Sequence, residues 1–339
     1  DNFSKYSPVP GYMDLREAIV EKLKKENGLA YTTNEVIAGT GGKQGVCNTI
    51  LALVNPGDEV IIPAPYWVSY PQMAKLAGAT PVIVRAGFEQ DFKMTAEQLE
   101  AAITPKTKML ILCSPSNPTG SVYSQEELNA LAQVILKHED IFVLSDEIYE
   151  HINYVGKAAS IASYPGMKER TIICNGVSKA YAMTGWRLGW VAAPAWIVKG
   201  INKLQGQYTS GTCDVSQKAA VAAYVASQDC VEQMRVAFER RRDLIVKLAK
   251  DIPGLEVNVP QGAFYLFPKC SSFFGKSDGE TVINNSTDFA MYILEKAHVA
   301  TVGGDAFGDP DCFRMSYATS DDNIREAMRR IKEVLAVLK

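Results

Sequence analysis

Lys179 lies in the stretch Ser178-Lys179-Ala180-Tyr181-Ala182-Met183-Thr184-Gly185-Trp186-Arg187-Leu188-Gly189-Trp190, directly after the short apolar run Thr171-Ile172-Ile173-Cys174. An amine just past the end of a buried strand, on backbone loosened by Gly185 and Gly189, is placed like a nucleophile on a loop. Taken alone, it also reads as a solvated surface lysine. Further residues with chemical potential follow other apolar runs. Gly39-Thr40-Gly41-Gly42-Lys43-Gln44-Gly45 opens a helix, where free backbone N–H groups attract an anion. Pro65-Tyr66-Trp67 supplies an aromatic face, Asn117-Pro118-Thr119-Gly120 an amide, and Asp146-Glu147-Ile148-Tyr149 a carboxylate with a phenol. Each has a plain alternative: a tight connection, a core aromatic, a turn, a helix cap.

The elements that would position these groups form a rhythm. From residue 35, apolar runs alternate with helical segments: Glu35–Ala38, Glu59–Ile62, Thr80–Val84, Lys108–Leu112, Ile141–Leu144 and Thr171–Cys174. Legible caps, Thr95 with Gln98 and Ser124 with Glu127, start two of the intervening helices. Such βα repeats predict an α/β fold whose mainly parallel sheet is covered by helices on both faces. Ligands of such sheets collect at the carboxyl ends of the strands, where the groups above converge. Before the repeats, Tyr12–Asn27 carries Leu15, Ile19 and Leu23 at helical spacing, preceded by a turn-rich lead containing Tyr6.

Beyond Trp190, helices are expected over Asp214–Gln228 and Val231–Lys250, with Arg240-Arg241-Arg242 mostly on a solvated face. A smaller α+β pattern follows: Leu255–Val257, Ala263–Phe267, a helix over 287–297, Val299–Val302, Cys312–Tyr317 and a final helix from about Asp321 to Leu338. The boundary is expected near residue 234, giving units 1–234 and 235–339.

Composition narrows the function classes. The chain has 339 residues, 47% hydrophobic and 22% charged, enough to bury a substantial core. A net charge of −3 with interspersed signs leaves no basic surface for nucleic acid, and no apolar run is long enough to span a membrane. Seven scattered cysteines without a Cys-x-x-Cys pair read as reduced core thiols of a cytosolic protein. His138, His151 and His298 match no metal spacing, so no metal site is expected. The missing initial Met suggests that residues precede Asp1 in the native chain.

A lysine amine, a carboxylate, an aromatic face and a phosphate-ready glycine turn together match the needs of pyridoxal phosphate, whose ring acts as an electron sink when a carboxylate holds a proton on its nitrogen. Asp146 suits that partner role, the Gly41, Gly42 and Lys43 turn with Ser178 and Arg187 the phosphate, Trp67 the ring face, and Tyr149 and Asn117 the 3-oxygen. Trp186 and Trp190 are assigned to packing.

The chain resembles the class I (fold type I) pyridoxal-phosphate aminotransferases, and within them the bacterial aspartate aminotransferases. Ser178-Lys179 with Arg187, Asn117-Pro118-Thr119-Gly120, Asp146-Glu147-Ile148-Tyr149, Pro65-Tyr66-Trp67 and Arg314-Met315-Ser316-Tyr317 carry the likeness in the family's order. The resemblance implies a large domain with a seven-stranded sheet and a smaller C-terminal domain. Lys179 would hold the cofactor and shuttle the substrate proton, and Arg314 would grip the substrate carboxylate, aided by Trp67 and Asn117. Lys43 would meet the distal carboxylate of aspartate or glutamate. Tyr6 would reach the cofactor phosphate of a neighbouring subunit, implying a homodimer with shared sites.

The family's N-terminal arm is expected to be missing ahead of Asp1. The implied reaction is ping-pong exchange of the amino group of aspartate with 2-oxoglutarate. Aromatic, prephenate or broad-specificity transamination and carbon–sulfur lysis are the neighbouring alternatives. A dinucleotide-dependent dehydrogenase fits worse, because Gly39–Gln44 lacks the third glycine and no acid ends the Val60–Ile62 strand.

Overall fold

The computed structural model describes residues 4–339, with a large seven-stranded sheet and a small three-stranded one. The large sheet contains β1 (Val36–Gly39), β2 (Glu59–Ala64), β3 (Thr80–Arg85), β4 (Thr107–Cys113), β5 (Phe142–Asp146), β6 (Thr171–Gly176) and β7 (Gly189–Ala192), in the order β1-β7-β6-β5-β4-β2-β3. Pairing from β3 through β6 is parallel, and β7 runs antiparallel to both β1 and β6. The six expected runs are all strands. The seventh, β7, hid inside the Lys179 stretch.

Helices cover both faces because the strands alternate their side chains. Ile37, Val60 and Ile62 pack with α2 (Gly42–Leu53), α3 (Ser69–Leu76) and α6 (Ala195–Tyr208). On the other face Ile61, Leu110 and Val143 meet α4 (Ala96–Ala102) and α5 (Gln125–Ile135), while Val36, Ala38 and Trp190 meet α1 (Met13–Lys22) and α7 (Asp214–Val225). Thr95 and Ser124 form the anticipated capping boxes. Helix α6 was not anticipated from the sequence: its segment begins after Pro194 and lies between stronger signals.

The small sheet has order β8-β10-β9, from β8 (Tyr265–Leu266), β9 (Val302–Gly303) and β10 (Phe313–Ser316), all antiparallel. It packs with α8 (Asp229–Lys250), α9 (Ser286–Tyr292) and α10 (Asp321–Leu335). In α10 the buried residues Ile324, Met328, Ile331 and Leu335 form one helical stripe. Helix α8 runs unbroken through residue 234.

Four expectations need correction. Cys213 and Cys230, near the starts of α7 and α8, are exposed and not core thiols. Leu255–Val257 is no strand: Glu256 makes only an isolated bridge to Lys269. Arg242 is not on a solvated face, since its guanidinium donates to the Pro260 carbonyl at 2.6 Å and lies 4.8 Å from the Tyr154 ring. Trp190 is buried as expected, but Trp186 is exposed at the end of the one-turn helix Thr184–Trp186, where no element lies over it.

Candidate functional site

The carboxyl ends of β1, β4, β5 and β6 open on one cavity of about 340 Å³, closed from the other side by β8 and β10. Gly42, Lys43, Trp67, Asn117, Asp146, Tyr149, Ser178, Lys179, Arg187 and Arg314 all line it. Two of the expected site residues do not. Gly41 directly precedes Gly42 of the lining and abuts Arg187. Tyr6 is fully exposed in a separate surface groove beside Gly211–Val215.

Lys179 owes its place to the β6–β7 connection. Gly176 and Gly189 face each other in register, so residues 177–188 form a loop pinned at both feet. A side chain at Gly176 would come within 2.7 Å of Gly189 Cα, which accounts for glycine there. The Lys179 amine lies 5.6 Å from the centre of the Tyr149 ring and 5.7 Å from that of Phe264. Burial lowers its pKa, Arg187 and Arg314 add to the fall, and Asp146 works against it. An amine so placed reaches its neutral, nucleophilic form more easily than a surface lysine.

Asp146 ends β5 and is buried. The Tyr70 hydroxyl donates to its Oδ2 at 2.7 Å and the Ile148 N–H to its Oδ1 at 3.3 Å. Burial raises its pKa, while these two bonds and the Lys179 charge oppose the rise. No cation lies within ion-pair distance of it among the described residues.

The glycine turn and Arg187 meet. Gly41 takes φ 79° at the N-cap of α2, a backbone that favours glycine. A Cβ there would stand 2.4 Å from an Arg187 guanidinium nitrogen. Arg187 is itself left-handed at φ 54°, and donates to the Thr184 carbonyl at 2.8 Å. A helix N-terminus, the buried Ser178 and an arginine without a carboxylate partner among the described residues thus converge on one anion-binding corner.

On the far wall, Arg314 leaves β10 between two rings, its guanidinium carbon 4.7 Å from the centres of both Tyr265 and Phe307, and donates to Asn117 Oδ1 at 2.8 Å. It too has no carboxylate partner among the described residues, and its planar fork suits a carboxylate. The exposed Lys43 amine stands 4.9 Å from the centre of the Trp67 ring. Tyr149 and Tyr265 join hydroxyls at 2.9 Å.

Tyr70, Cys113 and Tyr265 also line the cavity and were not singled out in the sequence. Tyr70 could have been found: it lies three residues after Trp67, so a helix starting at Ser69 carries it to the neighbouring strand ends. Tyr265 carried no such signal, because its place depends on β8 folding against the large sheet.

Raised carboxyl, softened amine, anion corner and carboxylate-ready arginine in one cavity of an α/β fold define an enzyme of amino-group chemistry. The chain belongs to the family of class I and II aminotransferases, whose pattern matches residues 1–331. It is 49% identical over 344 residues to a bifunctional aspartate aminotransferase and glutamate/aspartate-prephenate aminotransferase of Petunia hybrida, covering all of this chain and 72% of that protein. It is 48% identical to an aspartate/prephenate aminotransferase of Cereibacter sphaeroides, covering 99% of this chain and 84% of that one. A solved aspartate aminotransferase of Rhizobium meliloti superposes with a TM-score of 0.96 at 44% identity, over 99% of this chain and 84% of that one. The fold is therefore that of the type I enzymes, and the family's cofactor is pyridoxal 5′-phosphate. The residues present fit it: the space beside Gly41 is taken by a guanidinium, and a buried carboxylate and an amine share the cavity floor.

Proposed function

We propose that this chain transfers the amino group of aspartate to 2-oxoglutarate, yielding oxaloacetate and glutamate in a ping-pong cycle. Bound pyridoxal phosphate supplies the electron sink that makes a substrate α-proton removable. Lys179 would hold the cofactor aldehyde through Nζ and, once the substrate amine has taken its place, would carry the α-proton on the freed nitrogen, a task suited to an amine whose burial lowers its pKa. Asp146 keeps a proton on the ring nitrogen. The backbone N–H groups of Gly41, Gly42 and Lys43, with Ser178 and Arg187, would hold the phosphate, Trp67 would cover the ring, and Asn117 and Tyr149 would orient its oxygen.

The observation that carries the substrate assignment is Arg314, a half-buried guanidinium oriented by Asn117 and two rings with no protein carboxylate to satisfy it. It takes the α-carboxylate, and Lys43, on the opposite wall, takes the distal one. Support for the dicarboxylate comes from the relatives named as aspartate aminotransferases. A second reading, transamination of prephenate, draws on relatives named for both substrates. The same proposal includes units 1–234 and 235–339, a homodimer in which Tyr6 serves the neighbouring copy's cofactor phosphate, and a cytoplasmic location. No helix among the described residues is long and apolar enough to cross a membrane.

Initial rates with aspartate, prephenate and phenylalanine as partners test this. Aspartate should be fastest, and Lys43→Gln should lower kcat/KM for aspartate by about tenfold while sparing phenylalanine. An aspartate rate no better than that for phenylalanine would sink the assignment.

A further inference from the structure

One side chain touches both halves of the cavity. The Tyr265 ring lies under Arg314, 4.7 Å from its guanidinium carbon, and the Tyr265 hydroxyl meets that of Tyr149 at 2.9 Å. Neither phenol is free to swing. Tyr149 is 4% and Tyr265 7% exposed, and their rings meet nearly edge to face, with centres 5.9 Å apart. The backbone is equally fixed. Tyr265 pairs in register with Ser316 of β10, two residues beyond Arg314, and a side chain at Gly120 would come within 3.1 Å of the Tyr265 carbonyl.

We propose that Tyr265 is a positioning residue for the transamination, a bridge through which a carboxylate bound at Arg314 is felt at the Tyr149 hydroxyl. The inference rests on the reading of the cavity given above. A phenol has one proton to donate. When Tyr149 gives its proton to an acceptor in the cavity, the bond between the hydroxyls survives only with Tyr265 as donor. Tyr265 then makes Tyr149 the stronger donor, because hydrogen bonds in series polarise one another. Arg314 sets how well Tyr265 performs this. Burial raises the Tyr265 pKa, and the hydrogen bond with Tyr149 and, after it, the guanidinium over its ring oppose that rise. A substrate carboxylate on Arg314 cancels part of that field, and Tyr265 becomes a weaker donor. Occupancy at one wall is thereby written into the acidity of a group on the other.

The test compares wild type, Tyr265→Phe and Tyr265→Leu, each loaded with pyridoxal phosphate. The pH midpoint of the cofactor's visible absorbance is read with and without succinate, an unreactive dicarboxylate, alongside kcat and KM for aspartate. Tyr265→Phe keeps the ring and removes the donor. Its midpoint should rise by roughly half a unit, and the shift that succinate causes should shrink by about half or more. Its kcat should fall about three- to tenfold with KM almost unchanged. Tyr265→Leu removes the ring as well, and should raise KM about tenfold through the loosened Arg314. If Tyr265→Phe matches wild type in both midpoint and succinate shift, or Tyr265→Leu leaves KM unchanged, the bridge is overturned. A wild-type chain that takes up no pyridoxal phosphate overturns the reading of the cavity along with it. A wild type that transaminates aspartate beside an indistinguishable Tyr265→Phe overturns the bridge alone.

Discussion

Within six residues, Asp146 to His151, the chain contributes to two charged centres built on opposite plans. Asp146 faces the cavity, where Lys179, Arg187 and Arg314 have no ion-pair partner among the described residues. Glu150 and His151 face a knot behind it. There Glu150 accepts from Lys22, from Asn27 at 2.9 Å and from Asn175 at 2.7 Å, while His151 meets Glu26 at 2.9 Å. Glu26, Glu150 and His151 have the spacing of a metal-ligand set, but the two carboxylates flank the Lys22 ammonium, which is bonded to Glu150 and 3.5 Å from Glu26. Buried charges that are answered inside the protein hold it together. Charges left unanswered wait for a ligand, and burial moves the pKa of Asp146 up and that of Lys179 down.

The three acids of this segment make the point in sequence. Burial raises all three. For Asp146 a phenol and a backbone N–H only partly oppose that rise. Glu147, held by Ser145 at 2.9 Å and Ser160 at 2.6 Å and facing the Glu150 charge, reaches about 7. For Glu150 the Lys22 and His151 charges and the donated hydrogen bonds outweigh burial and hold it at about 2.

The largest expected effect breaks the cavity. Lys179→Ala should lower kcat by about 10⁴-fold or more, since on the proposed reading both the covalent attachment and the proton carrier are lost. Its melting temperature should stay at or above that of wild type apoenzyme, because removing a half-buried cation without a counterion relieves a desolvation cost. A clear loss of stability in this variant would contradict the contrast between the two centres.

The knot should answer in the opposite way. Lys22→Met strands the Glu150 carboxylate, and should cost about 3–5 kcal/mol in denaturant unfolding. The pH dependence carries a sign. The Glu150 pKa is depressed below its ordinary 4.5, so its stabilisation is complete above about 4.5 and is lost as pH falls towards 2. The Glu147 pKa is raised, so the folded state favours its protonated form, and stability falls as pH rises from 4.5 through about 7. Melting temperatures against pH should show the upper slope flattened in Glu147→Gln, and in Glu150→Gln the lower slope lost and the upper one reduced, because the Glu150 charge is one of the causes that raise Glu147.

The cavity was more legible in the sequence than the knot, and the reason is physical. In a parallel sheet, order along the chain fixes which loops share an edge, so Asn117, Asp146 and Lys179 could be placed together from six apolar runs. Lys22 and Glu150 are 128 residues apart, and their meeting depends on how α1 packs against the sheet. The same limit hid Tyr265 behind a two-residue strand, and hid Arg242, read as solvated although its guanidinium reaches a buried carbonyl. Helix α6 was missed for another reason: its face of Ile197, Val198 and Ile201 follows Pro194 and a tryptophan that is itself exposed.

The smallest expected effect is the sharpest test, because it falls on the seam of the comparison. Tyr70 is fully buried, stacks edge-on with Trp67 at 5.3 Å, and donates to Asp146 at 2.7 Å. Tyr70→Phe keeps the ring and its packing, so stability should change by about 1 kcal/mol at most. The carboxylate, however, loses its only side-chain donor among the described residues, and with it one of the influences opposing the rise in its pKa. In the role proposed for it, a neutral Asp146 would hold a proton on the ring nitrogen less well than a carboxylate would. We therefore expect kcat to fall about three- to tenfold, and the fall to deepen as pH is lowered. If Tyr70→Phe instead unfolds as readily as Lys22→Met while kcat is unchanged, Asp146 belongs with the structural charges and the division between the two centres is drawn in the wrong place.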